Sequence, residues 1–163
     1  MKLLEEGQIQ VTPLDAAQVG PTSIDLTLGN EFRVFKKVRG IYHVKEEAQF
    51  EEVSESVHVA DEDYLLLMPY ELVHGITRER IRLPNNLAGR IEGRSRFARI
   101  GLMVHMTAGL VQPGSDNKQV LEISNMSSMP LALHPGTRIC QIVLEEVHGE
   151  AKYEGRFKDQ MAP

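Results

Sequence analysis

The sequence predicts an all-β protein, a distorted β-barrel or jelly roll that carries one or two short helices. Most apolar runs of the 163-residue chain are short and are separated by turn residues such as Gly29-Asn30 and Pro135-Gly136. Some of these runs alternate polar and apolar side chains, the pattern of a strand with one buried face. Many short strands at this spacing are typical of barrels and jelly rolls. The length favours one domain, residues 1–163.

The predicted strands follow one another from residue 23 to residue 145. The first of them alternates polar and apolar residues and ends at the turn Gly29-Asn30. The run at 64–68 stops at Pro69, which cannot donate to a strand ladder. In chain order, we predict strands at 23–28, 31–35, 64–68, 72–81, 87–91, 119–124, 130–133 and 138–145.

Two short helices are predicted beside these strands. Residues 95–101 form the better internal candidate, because Ser95 can cap a first turn and Gly101 can end the helix. Residues 2–6 form the second candidate. The tail, 149–163, has little apolar content and several charges, and we predict that it is mobile until something orders it.

The composition excludes several classes of function. The chain has one cysteine, Cys140, so no intrachain disulfide can form and cysteine-based zinc sites are excluded. No apolar run approaches the roughly 20 residues that span a bilayer, and residues 1–10 lack a secretory pattern. We therefore expect a cytoplasmic protein with no membrane partner. The net charge of −5 argues against general nucleic-acid binding.

Basic residues are concentrated in one part of this acidic chain. Residues 78–99 contain seven arginines and two acidic residues, whereas 45–63 contain eight acidic residues and one basic residue. A basic segment inside an acidic protein indicates a local anion site. Two solvated surface stretches are the alternative, and charge alone favours that alternative.

The stretch 93–99, Gly-Arg-Ser-Arg-Phe-Ala-Arg, is the most informative part of the chain. Its glycine follows a predicted strand and allows a sharp turn, and Ser95 then opens a helix whose free N–H groups favour an anion. Arg96 and Arg99 share a helix face, and Arg94 can fork onto a phosphate. The pattern predicts a phosphate site, although a capped helix with exposed arginines explains the same residues.

Five stretches of the chain resemble the dCTP deaminases of the dCTP deaminase/dUTPase superfamily. Residues 93–108 are similar to the family signature G-R-S-S-L-A-R-L-G-L followed by V-H-x-T-A. Residues 20–29 resemble the amino-terminal strand, and 113–114 with 121–122 resemble the central loop and strand. Residues 153–160 resemble the carboxy-terminal Y-x-G-K-Y-x-x-Q motif. The resemblance implies a dUTPase-like barrel that assembles as a homotrimer, with active sites at subunit contacts.

Glu122 lies in a predicted strand whose alternation puts Leu121 and Ile123 on the opposite face. An ordinary exposed strand glutamate is one interpretation. The resemblance implies that Glu122 activates water for attack at C4 of cytosine, that Arg99 orients Glu122, and that Ser95 helps to hold the water. Such acid–base transfer requires a poised pKa. The H-x-E and C-x-x-C patterns of zinc deaminases are absent, so we expect no zinc and no protein metal ligand.

The resemblance also implies how a nucleotide is held. The tail becomes a lid that closes over the nucleotide, and Mg²⁺ enters bound to the triphosphate. Ala108 and nearby backbone groups read the base. The implied ligands are dCTP and dUTP, and dTTP is left open as an inhibitor. The implied substrate-binding residues are Arg94, Arg96, Thr107, Ala108, Gln112, Tyr153, Arg156 and Gln160.

Three positions depart from the family pattern. Gln112 stands where most dCTP deaminases have an aspartate, and a glutamine can hydrogen-bond but cannot act as a base. Residues 115–118 replace an aromatic residue and a glycine, and Asp116 is a weak substitute for the lost carboxylate. Arg96 replaces a serine. We therefore predict that dCTP becomes dUTP and ammonia, which supplies dUTP for thymidylate synthesis, without cleavage to dUMP.

Two other functions stay open at this point. One is a dUTPase or a bifunctional deaminase–dUTPase, although the dUTPase branch has an apolar residue where Glu122 stands. The other is a nucleotide-binding homologue without catalysis, which the altered loop 115–118 keeps open. His105 has two interpretations as well, because it is either a site residue or a buried packing or hydrogen-bonding histidine.

Overall fold

The computed structural model describes residues 2–37 and 39–163, and within them the chain forms twelve strands and three short α-helices. The predicted all-β fold class is therefore confirmed. The strands are β1 (Gln10–Thr12), β2 (Ser23–Thr27), β3 (Glu31–Phe35), β4 (Ser54–His58), β5 (Leu65–Leu67), β6 (Leu72–Arg82), β7 (Leu87–Gly93), β8 (Leu102–Val104), β9 (Leu110–Val111), β10 (Asp116–Asn125), β11 (Leu131–Leu133) and β12 (Arg138–Glu146). The helices are α1 (Lys2–Glu5), α2 (Phe50–Val53) and α3 (Ser95–Ala98), and a 3₁₀ turn occupies Ala16–Gln18.

The strands form two larger sheets and one small pair. The larger sheet has the order β4-β3-β6-β10-β8, and β1 also pairs with β6. A four-stranded sheet has the order β2-β12-β7-β9, and β11 pairs with β5. Neighbouring strands in all of these sheets are antiparallel. The two long strands β6 and β10 are therefore neighbours at the centre of the sheet that carries the site.

One apolar cluster joins the two larger sheets. Leu26 of β2 and Ile142 of β12 pack in the same cluster as Phe32 of β3 and Leu121 and Ile123 of β10. Each of these side chains is at most 1% exposed. Burying such side chains stabilises a domain by about 1.5–3 kcal/mol each, so the packing of one sheet on the other dominates the stability.

The register of β10 fixes which side chains face this core. β10 pairs with β6 on both sides of a register shift between Lys118 and Val120. Beyond the shift, Leu121 and Ile123 point into the core, and Glu122 points to the opposite face. The predicted alternation at Glu122 is therefore confirmed.

Glu79 of β6 is a carboxylate inside the core region, with only 1% of its surface exposed. Its two oxygens accept hydrogen bonds from Gln18 Nε2 at 2.7 Å and from the Thr27 N–H at 2.8 Å. Buried carboxylates are costly unless such donors satisfy them. Glu79 thereby ties the 3₁₀ turn and β2 to β6.

The helices differ from prediction in length and in capping. The predicted helix 95–101 is the four-residue α3, and its N-cap is Arg94, which makes no side-chain cap hydrogen bond. The expectation that Ser95 caps this helix is therefore wrong. Gly101 does lie beyond its end, with a φ of +84° that favours glycine. All three α-helices have four residues, and no helix in the described ranges is long and apolar enough to cross a membrane.

Several short elements were not predicted from the sequence. These are β1, β4, β8, β9 and α2. Strands of two or three residues are too short for a periodic pattern to show. The five residues of β4 lie in the acidic stretch, and only Ser54 among them is buried. Such elements form because a neighbouring strand offers free hydrogen-bonding groups.

We predict that Glu79→Ala lowers the free energy of unfolding by about 2–4 kcal/mol, because it leaves buried donors on Gln18 and Thr27 without an acceptor. Urea denaturation followed by circular dichroism measures this change. Glu145→Ala is the matched control, because Glu145 is an exposed strand glutamate paired with Arg90 at 3.1 Å and is worth at most about 1 kcal/mol. Equal losses in the two variants would contradict the assignment.

Candidate active site

A cavity of about 650 Å³ opens beside the centre of the larger sheet. Its walls come from β6, β9 and β10, from the segment 105–108, from α2 and from the carboxy-terminal tail. Glu122 and His74 line its floor from neighbouring strands, and Gln112 and Gln119 add amide groups to the wall. The size suits a nucleotide-sized ligand.

Glu122 is held in this cavity by Thr107. The Thr107 N–H donates to Glu122 Oε2 at 2.7 Å, and the Thr107 hydroxyl lies 2.9 Å from each carboxylate oxygen. Burial acts to raise the pKa of Glu122, but the hydrogen bonds from the Thr107 side chain and backbone, the nearby His105 and a backbone hydrogen bond from Met106 together outweigh burial. The pKa of Glu122 therefore lies below its ordinary value, and the group is a carboxylate near neutral pH.

His105 binds the backbone of the same strand. The Glu122 N–H donates to His105 Nδ1 at 3.0 Å, so the proton of a neutral His105 resides on Nε2. Its side chain is 6% exposed. His105 is buried and hydrogen-bonded, and it also lines the cavity, so both interpretations of this residue apply. This bond fixes the start of the segment that carries Thr107.

The segments on either side of β9 contribute Ala108 and Gln112 to the cavity wall. The Gln112 carbonyl accepts a hydrogen bond from Ser115 Oγ at 2.6 Å, while the Gln112 side chain is exposed. Asp116 is paired with Arg80 at 2.8 Å and does not line the cavity. The proposal that Asp116 replaces the lost aspartate therefore fails on geometry.

The tail lies along the rim of the cavity. Tyr153, Arg156 and Gln160 line the cavity, as the resemblance implies. The Lys118 N–H donates to the Gln160 carbonyl at 3.1 Å, and Gln160 Nε2 donates back to the Lys118 carbonyl at 3.2 Å. Arg156 donates to Gln49 Oε1 at 2.8 Å. The tail thus bridges β10 and the residue before α2, and its predicted mobility stays a prediction.

The residues of α3 lie outside the cavity. Within the described ranges, Ser95, Arg96 and Arg99 are exposed and do not line the Glu122 cavity. Arg94 is paired with Asp25 at 3.0 Å and donates to the Arg138 carbonyl at 2.7 Å. The structure therefore brings Glu122, Thr107, Ala108, Gln112 and the tail residues together, and it leaves the predicted partners Arg99 and Ser95 outside that group within one chain.

Exposed apolar side chains surround α3. Ile100 follows the helix, and Met103, Met126 and Met129 lie on the adjoining β8 and the turn after β10. The segments are joined, because the Met126 N–H donates to the Gly101 carbonyl at 2.8 Å.

No sequence pattern predicts several of the residues that line the cavity. His74, Asn117, Gln119, Phe50 and Glu51 all line the cavity. His74 faces Glu122 only because β6 and β10 pair in one register. Phe50 and Glu51 lie in the unpredicted helix α2. In residues 2–37 and 39–163, no three His, Cys, Asp or Glu side chains come together as a metal-ligand group.

A cavity in an antiparallel β fold that holds a hydrogen-bonded carboxylate, with Arg156 of the tail at its rim, suits an enzyme that performs acid–base chemistry on a small ligand. The chain belongs to the dCTP deaminase-like family, whose sequence model matches residues 1–147. The predicted family and the predicted class of enzyme are thereby confirmed. The match ends before the tail, so the tail motif rests on the resemblance of residues 153–160.

Relatives align with nearly the whole chain. A dCTP deaminase, dUMP-forming, from Methanobrevibacter smithii is 40% identical over 169 residues, which cover 98% of this chain and 87% of the relative. A protein of the same name from Methanothermobacter thermautotrophicus is 40% identical over 154 residues, with 93% and 78% covered. A dCTP deaminase from Rhodospirillum rubrum is 38% identical over 176 residues, with 99% and 90% covered.

Solved structures agree with the fold. The 2′-deoxycytidine 5′-triphosphate deaminase from Agrobacterium tumefaciens superimposes with a TM-score of 0.68 at 20% identity. That alignment covers 90% of this chain and 46% of the other, so this chain spans less than half of that one. The EIAV dUTPase superimposes with a TM-score of 0.56 at 14% identity, with 90% and 93% covered.

The relatives contradict the prediction that the reaction stops at dUTP without cleavage to dUMP. The two archaeal relatives are named dUMP-forming. The prediction depended on the missing carboxylate at Gln112. Gln112 is one loop position, and the cavity also contains the carboxyl groups of Glu51 and Asp159.

We predict that Thr107→Val raises the pKa of Glu122 toward its ordinary value, because the variant removes the hydroxyl that stabilises the carboxylate. Titration of ¹³C-labelled glutamate carboxyls by NMR measures the pKa. Thr107→Ser keeps the hydroxyl and should leave the pKa low. A low pKa in Thr107→Val would show that the Thr107 hydroxyl does not lower the pKa of Glu122, because the variant keeps the backbone N–H.

The same bond has a consequence for stability. A carboxyl whose pKa is lowered by folding stabilises the fold above its unfolded pKa, about 4.3, and loses that contribution as pH falls through the folded pKa. Thr107→Val brings the two pKa values closer together. The difference in stability between the variant and the wild type should therefore shrink as the pH falls below about 4.

Proposed function

We propose that this chain catalyses the hydrolytic deamination of dCTP and carries the product on to dUMP. The observation that carries the proposal is the Glu122 carboxylate, which lies in the cavity and is held there by Thr107. The names of the two archaeal relatives support dUMP as the final product. The overall change is dCTP plus two waters giving dUMP, pyrophosphate and ammonia.

The deamination step follows from one carboxylate that accepts and returns protons. Glu122 accepts a proton from water while the water oxygen bonds to C4 of the cytosine ring. Glu122 then donates that proton to N3 of the ring. The new C4 hydroxyl loses its proton through Glu122 to the departing amino group, the C4–N bond breaks, and ammonia leaves. A carbonyl remains at C4, so the base is now uracil.

The phosphate step needs a second water and a different part of the cavity. This water attacks the α-phosphorus and gives up a proton to a carboxylate of the cavity wall, the bond from the α-phosphorus to the bridging oxygen breaks, and pyrophosphate leaves. Mg²⁺, as part of the triphosphate substrate, would neutralise charge on the departing pyrophosphate. Glu51 and Asp159 supply carboxylates on the cavity wall, and Gln112 supplies an amide that can orient water or a sugar hydroxyl. Arg156 and Gln160 on the tail are the proposed phosphate ligands.

We assign Ser95, Arg96 and Arg99 to the active site of a neighbouring copy in a homotrimer. Three observations support this assignment. The arginines of α3 are exposed, they do not line the cavity of their own chain, and exposed apolar residues surround them. Arg94 holds α3 to Asp25 of β2, so we propose that Arg94 positions the helix rather than binding phosphate itself.

We predict that Glu122→Gln lowers ammonia release from dCTP at least about 100-fold, because the amide cannot accept the proton from water. Ammonia, dUTP, dUMP and pyrophosphate are measured together on purified protein, and nucleotide binding is measured by calorimetry. The variant should still bind dCTP. Glu145→Gln, on the exposed face of β12, is the control and should keep full activity.

Two results would overturn the proposal. Wild-type protein that binds dCTP without releasing ammonia would be a nucleotide-binding homologue without catalysis. Ammonia release at the wild-type rate in Glu122→Gln would remove Glu122 from the mechanism. Accumulation of dUTP with no dUMP would remove the phosphate step and leave the deamination.

We predict that two inactive variants, Arg99→Ala and Glu122→Gln, regain part of the activity when they are unfolded together and refolded in equal amounts. Mixed trimers then contain sites with an intact Arg99 from one copy and an intact Glu122 from another. Ammonia release after mixing measures the recovery. If both residues serve the site of their own chain, mixed trimers stay as inactive as the separate variants.

A further inference from the structure

Four side chains form a row across four neighbouring segments of the larger sheet. Arg33 of β3 is the register partner of His74 of β6, and His74 is the register partner of Glu122 of β10. On the other side of β10, Ile123 pairs with Val104 at the end of β8. His105 follows Val104, and its Nδ1 accepts the Glu122 N–H at 3.0 Å. His74 therefore lies between a guanidinium and the carboxylate assigned to proton transfer.

His74 is part of the cavity but has no role in the steps described above. It lines the cavity together with Glu122. Phe35 meets the imidazole edge to face, with the ring centroids 5.2 Å apart and the planes 80° apart. Register partners on one face of a sheet have Cβ atoms about 4.5–5.5 Å apart. The imidazole is thus held close to Glu122 by both the register and an aromatic contact.

We infer that His74 is a positioning residue for Glu122. Neutral His74 leaves the Glu122 carboxylate bonded to Thr107, and protonated His74 draws that carboxylate into an ion pair. The inference rests on the proposed role of Glu122 as the proton acceptor. A carboxylate paired with an imidazolium is a weaker base, because accepting a proton would break the ion pair. Protonation of His74 therefore stops the deamination step.

The surroundings of His74 favour its neutral form. Burial lowers the pKa of His74, Glu122 opposes that change, and Arg33 and His105 add to the lowering. Arg33 is fixed by hydrogen bonds from its Nε to Ser54 Oγ at 3.0 Å and from its Nη1 to Ser56 Oγ at 3.2 Å. The pKa of His74 lies below the ordinary histidine value, so the imidazole is neutral at pH 7 and becomes charged in acid.

Other charged groups face the same cavity from α2 and from the tail. They are Glu51, Arg156 and Asp159. Arg156 is bonded to Gln49, and Asp159 lies one residue before Gln160, which is bonded to Lys118. Arg33 and Glu122 are the charged register partners of His74, so Glu122 is the acid that the imidazolium reaches across the strands.

The pH dependence of the reaction tests this inference. In the wild type, ammonia release should fall as the pH drops through the pKa of His74, because the imidazolium then pairs with the Glu122 carboxylate. In His74→Phe, the ring against Phe35 is kept and the charge is removed, so the fall should move to lower pH. His74→Gln should behave in the same way. We call the fall of activity at low pH the acid limb of the pH profile. A variant of His74 that loses activity equally at all pH values, with the acid limb at the same pH as in the wild type, overturns the inference.

A second histidine provides a matched control. His58 of β4 is the register partner of Glu31 of β3 and contacts it, but this pair is exposed and lies outside the cavity. His58→Phe removes a histidine beside a glutamate on the same sheet. It should leave the acid limb where the wild type has it. An equal movement of the limb in both variants would mean that the effect does not come from the row at Glu122.

NMR titration gives a test that does not depend on activity. The imidazole of His74, identified from the spectrum of His74→Phe, is titrated in wild type and in Glu122→Gln. Removing the carboxylate should lower the pKa of His74 further, and an unchanged pKa overturns the coupling. If the wild type releases no ammonia, the proposed function fails while this titration still decides whether the two groups are coupled.

Discussion

The antiparallel pairing of β6 with β10 is the constraint on which the site depends. The register shift between Lys118 and Val120 decides which side chains of β10 face the core afterwards. A slip of one residue would exchange the two faces, sending Glu122 into the apolar cluster and Leu121 into the cavity. An unpaired carboxylate in that cluster would be very costly. The apolar packing of the two sheets therefore fixes the place of the reactive carboxylate.

The segment after β8 then holds the Glu122 carboxylate by hydrogen bonds and keeps it ionised. His105 accepts the backbone N–H of Glu122, and two residues later Thr107 donates to the carboxylate from both its backbone and its hydroxyl. The same few residues thus anchor the segment and lower the pKa of Glu122. Because this geometry exists before any ligand binds, little reorganisation is needed when proton transfer begins.

Parts of this fold and of this site can be predicted from the sequence. Long alternating runs such as the one around Glu122 predict both a strand and the face of each side chain. The Gly93–Arg99 motif and the tail motif predict a family, which the comparisons confirm. Contacts between distant segments were not accessible, because nothing local encodes them. The pairing of His74 with Glu122 and the bond from Thr107 to Glu122 both depend on strand register.

Two other predictions made from local sequence patterns do not include contacts with distant segments. Arg94 was expected at a phosphate, yet Asp25 of a distant strand takes its guanidinium. A glutamine at position 112 predicts a reaction that stops at dUTP, whereas two relatives are named dUMP-forming and the cavity also contains acidic groups of α2 and the tail. Arg99 stays a predicted partner of Glu122, and the structure of one chain leaves it exposed at a surface surrounded by apolar residues.

The central claim is that water held by Glu122 attacks C4 of the cytosine ring of dCTP. The most direct measurement is the reaction in ¹⁸O-labelled water, with the label located in the nucleotide and in pyrophosphate by mass spectrometry. The account predicts that the uracil base carries ¹⁸O at C4 and that a second ¹⁸O enters at the phosphate cleavage. Label at the phosphates with unlabelled, unchanged cytosine would contradict it, because the cavity would then cleave triphosphates without deaminating the base.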